Sequence, residues 1–139
     1  KVTFSHCVPT ILHMLVSSPV AKAVDLSNWK VVIGGAALPS GLAKAALDLG
    51  IDVITGYGMS ETCPVLSITY LNEKEKGMKM DEQVELRTKT GVPIPFVDMK
   101  VVDEQLKPMP KDGESVGEIV VRTPWLTQAY YKEEERSNE

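Results

Sequence analysis

Two short apolar runs, each stopped by glycine and separated by a stretch of helical spacing, constrain the fold of this chain more than any other feature. Val31-Val32-Ile33 ends at Gly34-Gly35, and Ile51 to Ile54 ends at Gly56. Between them Ser40 can cap a helix carrying Leu42, Ala45, Ala46 and Leu49, which Gly50 terminates. Runs this brief and this uniformly apolar read as buried strands of a parallel sheet, and strand, helix and strand close as a right-handed crossover. Parallel neighbours send their exit loops to the same edge of the sheet, where open α/β sheets bind ligands. The loops Gly34-Gly35-Ala36 and Gly56-Tyr57-Gly58 are therefore expected to form opposite walls of one crevice.

The remaining patterning sets the organisation. Pro9 suits a first helical turn, and Ile11, Leu12, Leu15 and Val16 recur at helical spacing until Ser17-Ser18-Pro19. From 71 to 90 polar and charged residues dominate, including Glu73-Lys74-Glu75-Lys76, and no apolar period survives, which predicts a linker. Val97, Met99 and Val101 then alternate with Asp98 and Lys100, and a second run covers Ile119 to Arg122. Asp103, Pro108, Pro110, Asp112 and Gly113 supply turns between them, so a hairpin or small antiparallel sheet is expected. The charge run Lys132 to Arg136 reads as a solvated helix face. The expected division is an α/β segment over 1–72, a polar linker over 73–90, a β-hairpin or barrel portion over 91–131 and a charged tail over 132–139.

Chemistry concentrates in Thr55-Gly56-Tyr57-Gly58-Met59-Ser60-Glu61-Thr62. Glycines admit a ligand close to the backbone, an aromatic ring offers a stacking face, a hydroxyl reaches a phosphate oxygen and a carboxylate holds a divalent metal. Together these point to ATP with Mg2+. The same residues also suit plainer roles, Tyr57 as a strand-end aromatic and Ser60-Glu61 as a helix start. A net charge of −4 over 139 residues gives no basic footprint for nucleic acid. No apolar run approaches the roughly 18 residues that span a bilayer, and Lys1 opens within sequence that reads as folded, so neither a membrane span nor a leader is expected and the expected location is cytoplasmic. Cys7 and Cys63 stand at no metal-ligand spacing, and neither His13 nor any aspartate pairs with Ser60 as a hydrolytic base would.

The Thr55–Thr62 stretch resembles the AMP-forming acyl-CoA synthetases, the adenylate-forming superfamily that includes luciferase and peptide-synthetase adenylation domains. Two further stretches match in order: Gly34-Gly35-Ala36-Ala37-Leu38-Pro39, similar to the adenine-side loop, and Gly117-Glu118-Ile119-Val120-Val121-Arg122-Thr123-Pro124 followed by Tyr130-Tyr131. The resemblance implies an α/β fold, the parallel βαβ portion of a large N-terminal domain followed by a small antiparallel β subdomain. It implies ATP, Mg2+ and coenzyme A as reactants and cofactors, with a carboxylic, expectedly fatty, acid as partner. Ser60 is implied in α-phosphate contact and Glu61 in catalysis as the magnesium ligand; Gly34, Gly35, Ala36, Gly56, Tyr57, Gly58 and Met59 are implied at the nucleotide. His6, Gly34, Met59, Cys63 and Pro64 are implied to border the acid. His6 reads equally as an exposed or satisfied histidine. Glu118 is implied to be structural, Ser60 stands where the family usually has threonine, and Ala129 where glycine is common.

Family members are several times longer, so a fragment is expected. The chain shows no Ser/Thr/Gly-rich loop ending in lysine and no Tyr-x-x-Gly-Asp segment, and alone it is expected to be inactive and to self-associate through uncovered edges. A non-catalytic nucleotide-binding module, an interaction domain with a relic motif, and a ligase for an aryl or short-chain acid remain alternatives.

Overall fold

The structure, a computed structural model, describes residues 2–137; Lys1, Asn138 and Glu139, the ends of the first and last expected spans, lie outside the described residues. The crossover forms where the apolar runs predict it. β2 (Lys30–Ile33), α2 (Ser40–Asp48) and β3 (Asp52–Gly58) follow one another, and β2 and β3 pair in parallel with Val31 opposite Val53. A strand absent from the sequence reading, β1 (Phe4–Cys7), adds to β2 in parallel and leads into α1 (Pro9–Ser17). Pro39, not Ser40, occupies the cap of α2, and no side chain bonds there. Proline's fixed extended backbone starts that helix without a hydroxyl.

Alternation along the strands decides which face is dry. Val31, Ile33 and Val53 turn toward the helices and meet Leu12 and Val16 of α1 and Leu42, Ala43 and Ala46 of α2. Leu12, Ile33 and Ile51 are wholly enclosed, and each such side chain contributes roughly 1.5–3 kcal/mol relative to exposure. His6 and Val32 lie side by side in register on the opposite face, where Phe4 remains 61% exposed.

β3 runs farther than its glycines suggest. Where the sequence predicts a loop from Gly56, the strand continues through Tyr57 to Gly58 by pairing antiparallel with β4 (Val65–Ile68). A short β5 (Val92–Pro93) completes a sheet ordered β1-β2-β3-β4-β5.

The span 73–90 corrects the linker expectation. It folds as α3 (Glu73–Lys76) and α4 (Met80–Arg87), and α4 packs on α2 and β3. Val84 is its buried apolar residue, while Arg87, 5% exposed, reaches Asp52 at 2.7 Å and also donates to the Val53 carbonyl. The Thr55 hydroxyl donates in turn to the Arg87 carbonyl. Hydropathy does not register a helix anchored by an arginine.

β6 (Asp98–Val102) and β7 (Glu118–Arg122) form the expected antiparallel pair, and a short α5 (Glu134–Ser137) follows within the charged tail. In the turn between the strands Asp112 accepts the Ser115 hydroxyl at 2.6 Å and the amides of Ser115 and Glu114 at 2.8 and 2.9 Å. These bonds, the Ser115 hydroxyl foremost, hold its carboxyl down to about 2 from an ordinary 3.8. A depressed folded value means the turn's stabilisation is complete above the unfolded value and is lost as pH falls through about 2. Carbon-detected NMR titration of Asp112 should place its midpoint near 2, and Ser115→Ala should raise it; a midpoint at the ordinary value in the native chain would contradict the turn geometry.

Candidate functional site

The carboxyl ends of β1, β2 and β3 open into a single cleft of about 920 Å³. His6 and Cys7 enter from β1, Gly34 and Gly35 from the exit of β2, and Gly56, Tyr57, Gly58, Met59 and Ser60 from β3 and the turn after it, with Pro64 opposite. The two glycine runs predicted to converge do so. A Cβ on Gly34 would sit 3.4 Å from the Gly56 carbonyl oxygen, so the backbones are already in contact. Gly35, with φ +79°, takes the left-handed conformation that turns the chain out of the sheet.

Gly58 fixes the geometry of the wall. Tyr57 pairs with Ser67 and Gly58 with Val65, so Leu66 is an extra residue bulged out of the β4 ladder. The bulge pushes the Pro64 carbonyl against Gly58, where a Cβ would lie 1.6 Å from the oxygen. Glycine alone fits. Beyond it Ser60–Thr62 forms one 3-10 turn, locked by Thr62, which is 1% exposed. Its hydroxyl accepts the Met59 amide at 3.0 Å and donates to the Pro64 carbonyl at 2.8 Å.

Ser60 is exposed at the rim of the cleft. Glu61, half-buried, stands just outside the lining and accepts the Tyr130 hydroxyl at 3.0 Å on Oε1. That bond holds the Tyr130 proton above the ordinary phenol range. Ala36 and Cys63 are exposed and also stand outside the lining, Cys63 in a left-handed conformation (φ 50°) that ends the turn. Among the described residues no group of three or more His, Cys, Asp or Glu side chains gathers as a metal centre. Burial pushes the Cys7 thiol up, keeping it protonated and poorly nucleophilic.

Val8, Ile11 and Val32 line the apolar part of the cleft and were absent from the predicted site. Val32 was legible, since between two core-facing strand residues it must face the other way. A second groove of about 830 Å³ lies between α1 and α2, with His13, Lys22 and Asp48 on its walls. None of the glycine-run residues reaches it, and it opens on the helical side, away from the strand ends where α/β sheets hold ligands.

The family described as AMP-binding enzyme matches residues 1–131. The chain belongs to that family. A long-chain-fatty-acid–CoA ligase from Thermus thermophilus is 36% identical over 135 residues, covering 96% of this chain and 25% of that protein. A 3-methylmercaptopropionyl-CoA ligase from Ruegeria pomeroyi is 32% identical over 134 residues, covering 95% and 25%. Among solved structures, the amide bond synthetase McbA from Marinactinospora thermotolerans superposes with a TM-score of 0.78 at 26% identity, covering 98% of this chain and 26% of that one. The chain thus spans about a quarter of the length of these AMP-binding relatives. The mixed fold, parallel across β1 to β3 with an antiparallel β6–β7 pair after it, matches part of the N-terminal domain of adenylate-forming enzymes.

Proposed function

We propose that this chain is the segment of an ATP-dependent, AMP-forming acyl-CoA ligase that carries one wall of the nucleotide and acid site, and that the acid is fatty. The observation that carries the reading is the convergence of Gly34-Gly35 and Gly56–Ser60 on one cleft at the ends of parallel strands. The relative from Thermus thermophilus, named for long-chain fatty acids, supports the choice of acid, as does the apolar lining by Val8, Ile11, Val32 and Pro64.

In the proposed reaction a carboxylate oxygen of the acid attacks the α-phosphorus of ATP and the bond to pyrophosphate breaks, leaving an acyl-adenylate. Coenzyme A thiolate then attacks the acyl carbon and AMP leaves. Tyr57 offers its ring to the adenine, with Gly34, Gly35 and Ala36 along the other side. Ser60 donates to the α-phosphate, and Met59, Pro64 and His6 border the acid, with Cys63 beside them. Glu61 would hold Mg2+, whose chemistry is to offset charge on the phosphates. A lone carboxylate fits that task, because Mg2+ on nucleotides takes one or two carboxylates and completes its shell with phosphate oxygens and water. The residues here bind and orient, and positioning with charge neutralisation is most of phosphoryl-transfer catalysis.

Acid-dependent ATP–pyrophosphate exchange by the full-length protein is the test. Exchange should be fastest with a long-chain fatty acid; Ser60→Ala should slow it about tenfold, one charge-assisted hydrogen bond, and Glu61→Gln about 100-fold. The isolated 139-residue chain, which offers the nucleotide a single hydroxyl and a single carboxylate at this site, should show none. Exchange with only aryl or short-chain acids would overturn the fatty-acid assignment, and ATP binding without exchange on any acid would make this a non-catalytic nucleotide-binding module.

A further inference from the structure

Of the Ala129-Tyr130-Tyr131 motif, one tyrosine reaches the carboxylate that the proposed reaction uses. The Tyr130 hydroxyl donates to Glu61 Oε1 at 3.0 Å, and the Thr127 amide donates to the Glu61 backbone carbonyl at 2.8 Å. The segment after β7 therefore grips both the side chain and the main chain of a residue 69 positions earlier. Tyr130 is held from behind as well. Its amide donates to Ser137 Oγ at 2.9 Å, and the Arg136 guanidinium lies 5.6 Å from its ring centroid. Tyr131 differs: it is 86% exposed, with the Lys132 ammonium 5.3 Å from its ring.

Such a grip matters because a half-buried glutamate on a 3-10 turn has several rotamers, and a cation ligand works from few of them. Among the described residues Oε1 carries the Tyr130 bond and no hydrogen bond falls on Oε2. One oxygen is thus engaged in orienting the group while the other stays open to a ligand, the division of labour seen where a partner fixes a metal-bound carboxylate. We propose that Tyr130 is a positioning residue: its hydroxyl fixes the Glu61 carboxylate so that the second oxygen is available to Mg2+ on the ATP phosphates. The inference rests on the magnesium role given to Glu61 above.

The test compares Tyr130→Phe, Tyr131→Phe and Glu61→Gln in the full-length protein. Mn2+ affinity is read by electron paramagnetic resonance with a non-hydrolysable ATP analogue, beside the Mg2+ concentration that half-saturates exchange and the KM for the acid. Tyr130→Phe keeps the ring and should weaken Mn2+ binding and raise the Mg2+ requirement about tenfold, with the acid KM and the thermal midpoint unchanged. Tyr131→Phe should change none of these. If Glu61→Gln weakens Mn2+ binding while Tyr130→Phe leaves it unchanged, the positioning role is overturned and the magnesium role of Glu61 stands. If Glu61→Gln leaves Mn2+ affinity intact, the magnesium role fails and the positioning role with it. A Tyr130→Phe protein that melts more than about 3 °C lower, with equal losses in acid KM and Mn2+ affinity, would make Tyr130 scaffold only and overturn the proposal.

Discussion

Gly58→Ala should abolish the cleft. The added methyl would lie 1.6 Å from the Pro64 carbonyl oxygen, 2.6 Å from its carbon and 3.0 Å from the Val65 Cα, all backbone atoms that no rotamer change can clear. Relief requires β3 and β4 to separate by more than an ångström. That would undo the Gly58–Val65 pairing and the Thr62 bond to the same Pro64 carbonyl. Overpacking against rigid backbone exceeds the usual 1–3 kcal/mol of a crowded core, and about 4 kcal/mol is expected here. Against a total stability of roughly 5–15 kcal/mol, such a loss leaves little of the folded population in reserve. Denaturant unfolding of the variant should show the midpoint collapse, and exchange activity of the full-length protein should vanish with it. Gly34→Ala is the control. Its nearest neighbour would be the Gly56 carbonyl at 3.4 Å, an ordinary contact, so less than about 1 kcal/mol should be lost. Equal stability of the two variants would show that the bulge at Leu66 does not hold the Pro64 carbonyl where it is described.

Arg87→Leu should be the second severe change, from a residue outside the lining of the cleft. The guanidinium, 7% exposed in its side chain, bonds Asp52 at 2.7 Å and the Val53 carbonyl, which lies on the stretch of β3 that β4 does not pair. Removing it leaves a carboxylate and a buried carbonyl without their donor, and breaking a buried pair from one side costs about 3–5 kcal/mol. Asp52 is 31% exposed and water can reach it, so the lower end, about 3 kcal/mol, is expected. Asp52→Asn keeps an accepting oxygen but leaves the buried guanidinium without its counter-charge, so a loss of similar size, about 2–3 kcal/mol, is expected there too. Urea unfolding of both variants checks these losses. An Arg87→Leu loss below about 1 kcal/mol would mean the arginine does not anchor α4.

Those two residues also mark what sequence patterning can and cannot reach. Strand, helix and strand from Lys30 to Gly58 were legible because apolar period and glycine position agree, and the meeting of their exits followed from topology. The same glycines misled locally. Gly56 and Gly58 read as a loop, yet they are strand residues, and the missing side chain of Gly58 admits the backbone of Pro64 and Val65. β1 was missed because Phe4-Ser5-His6-Cys7 offers no apolar run; its partner is β2, a contact that patterning along the chain does not contain. α4 was missed because Val84 is its buried apolar residue, and a salt-bridged arginine does the rest of the anchoring. Of the predicted site residues, His6, Gly34, Gly35, Gly56 to Ser60 and Pro64 share the cleft, whereas Ala36, Glu61 and Cys63 stand beside it. Tyr130 stands in a recognisable motif, but its partner lies too far back in the chain for spacing to indicate.

That distance has a temporal meaning. The crossover from β1 to β3 pairs residues 26 and 22 positions apart, all of them synthesised well before Tyr130. The Glu61 carboxylate, by contrast, gains its tyrosine partner 69 residues downstream, so a ribosome must deliver Tyr130 before this part of the site exists. At roughly 5–20 residues per second of translation, the nascent sheet spends seconds with its glycine wall built and its acidic corner still unclasped.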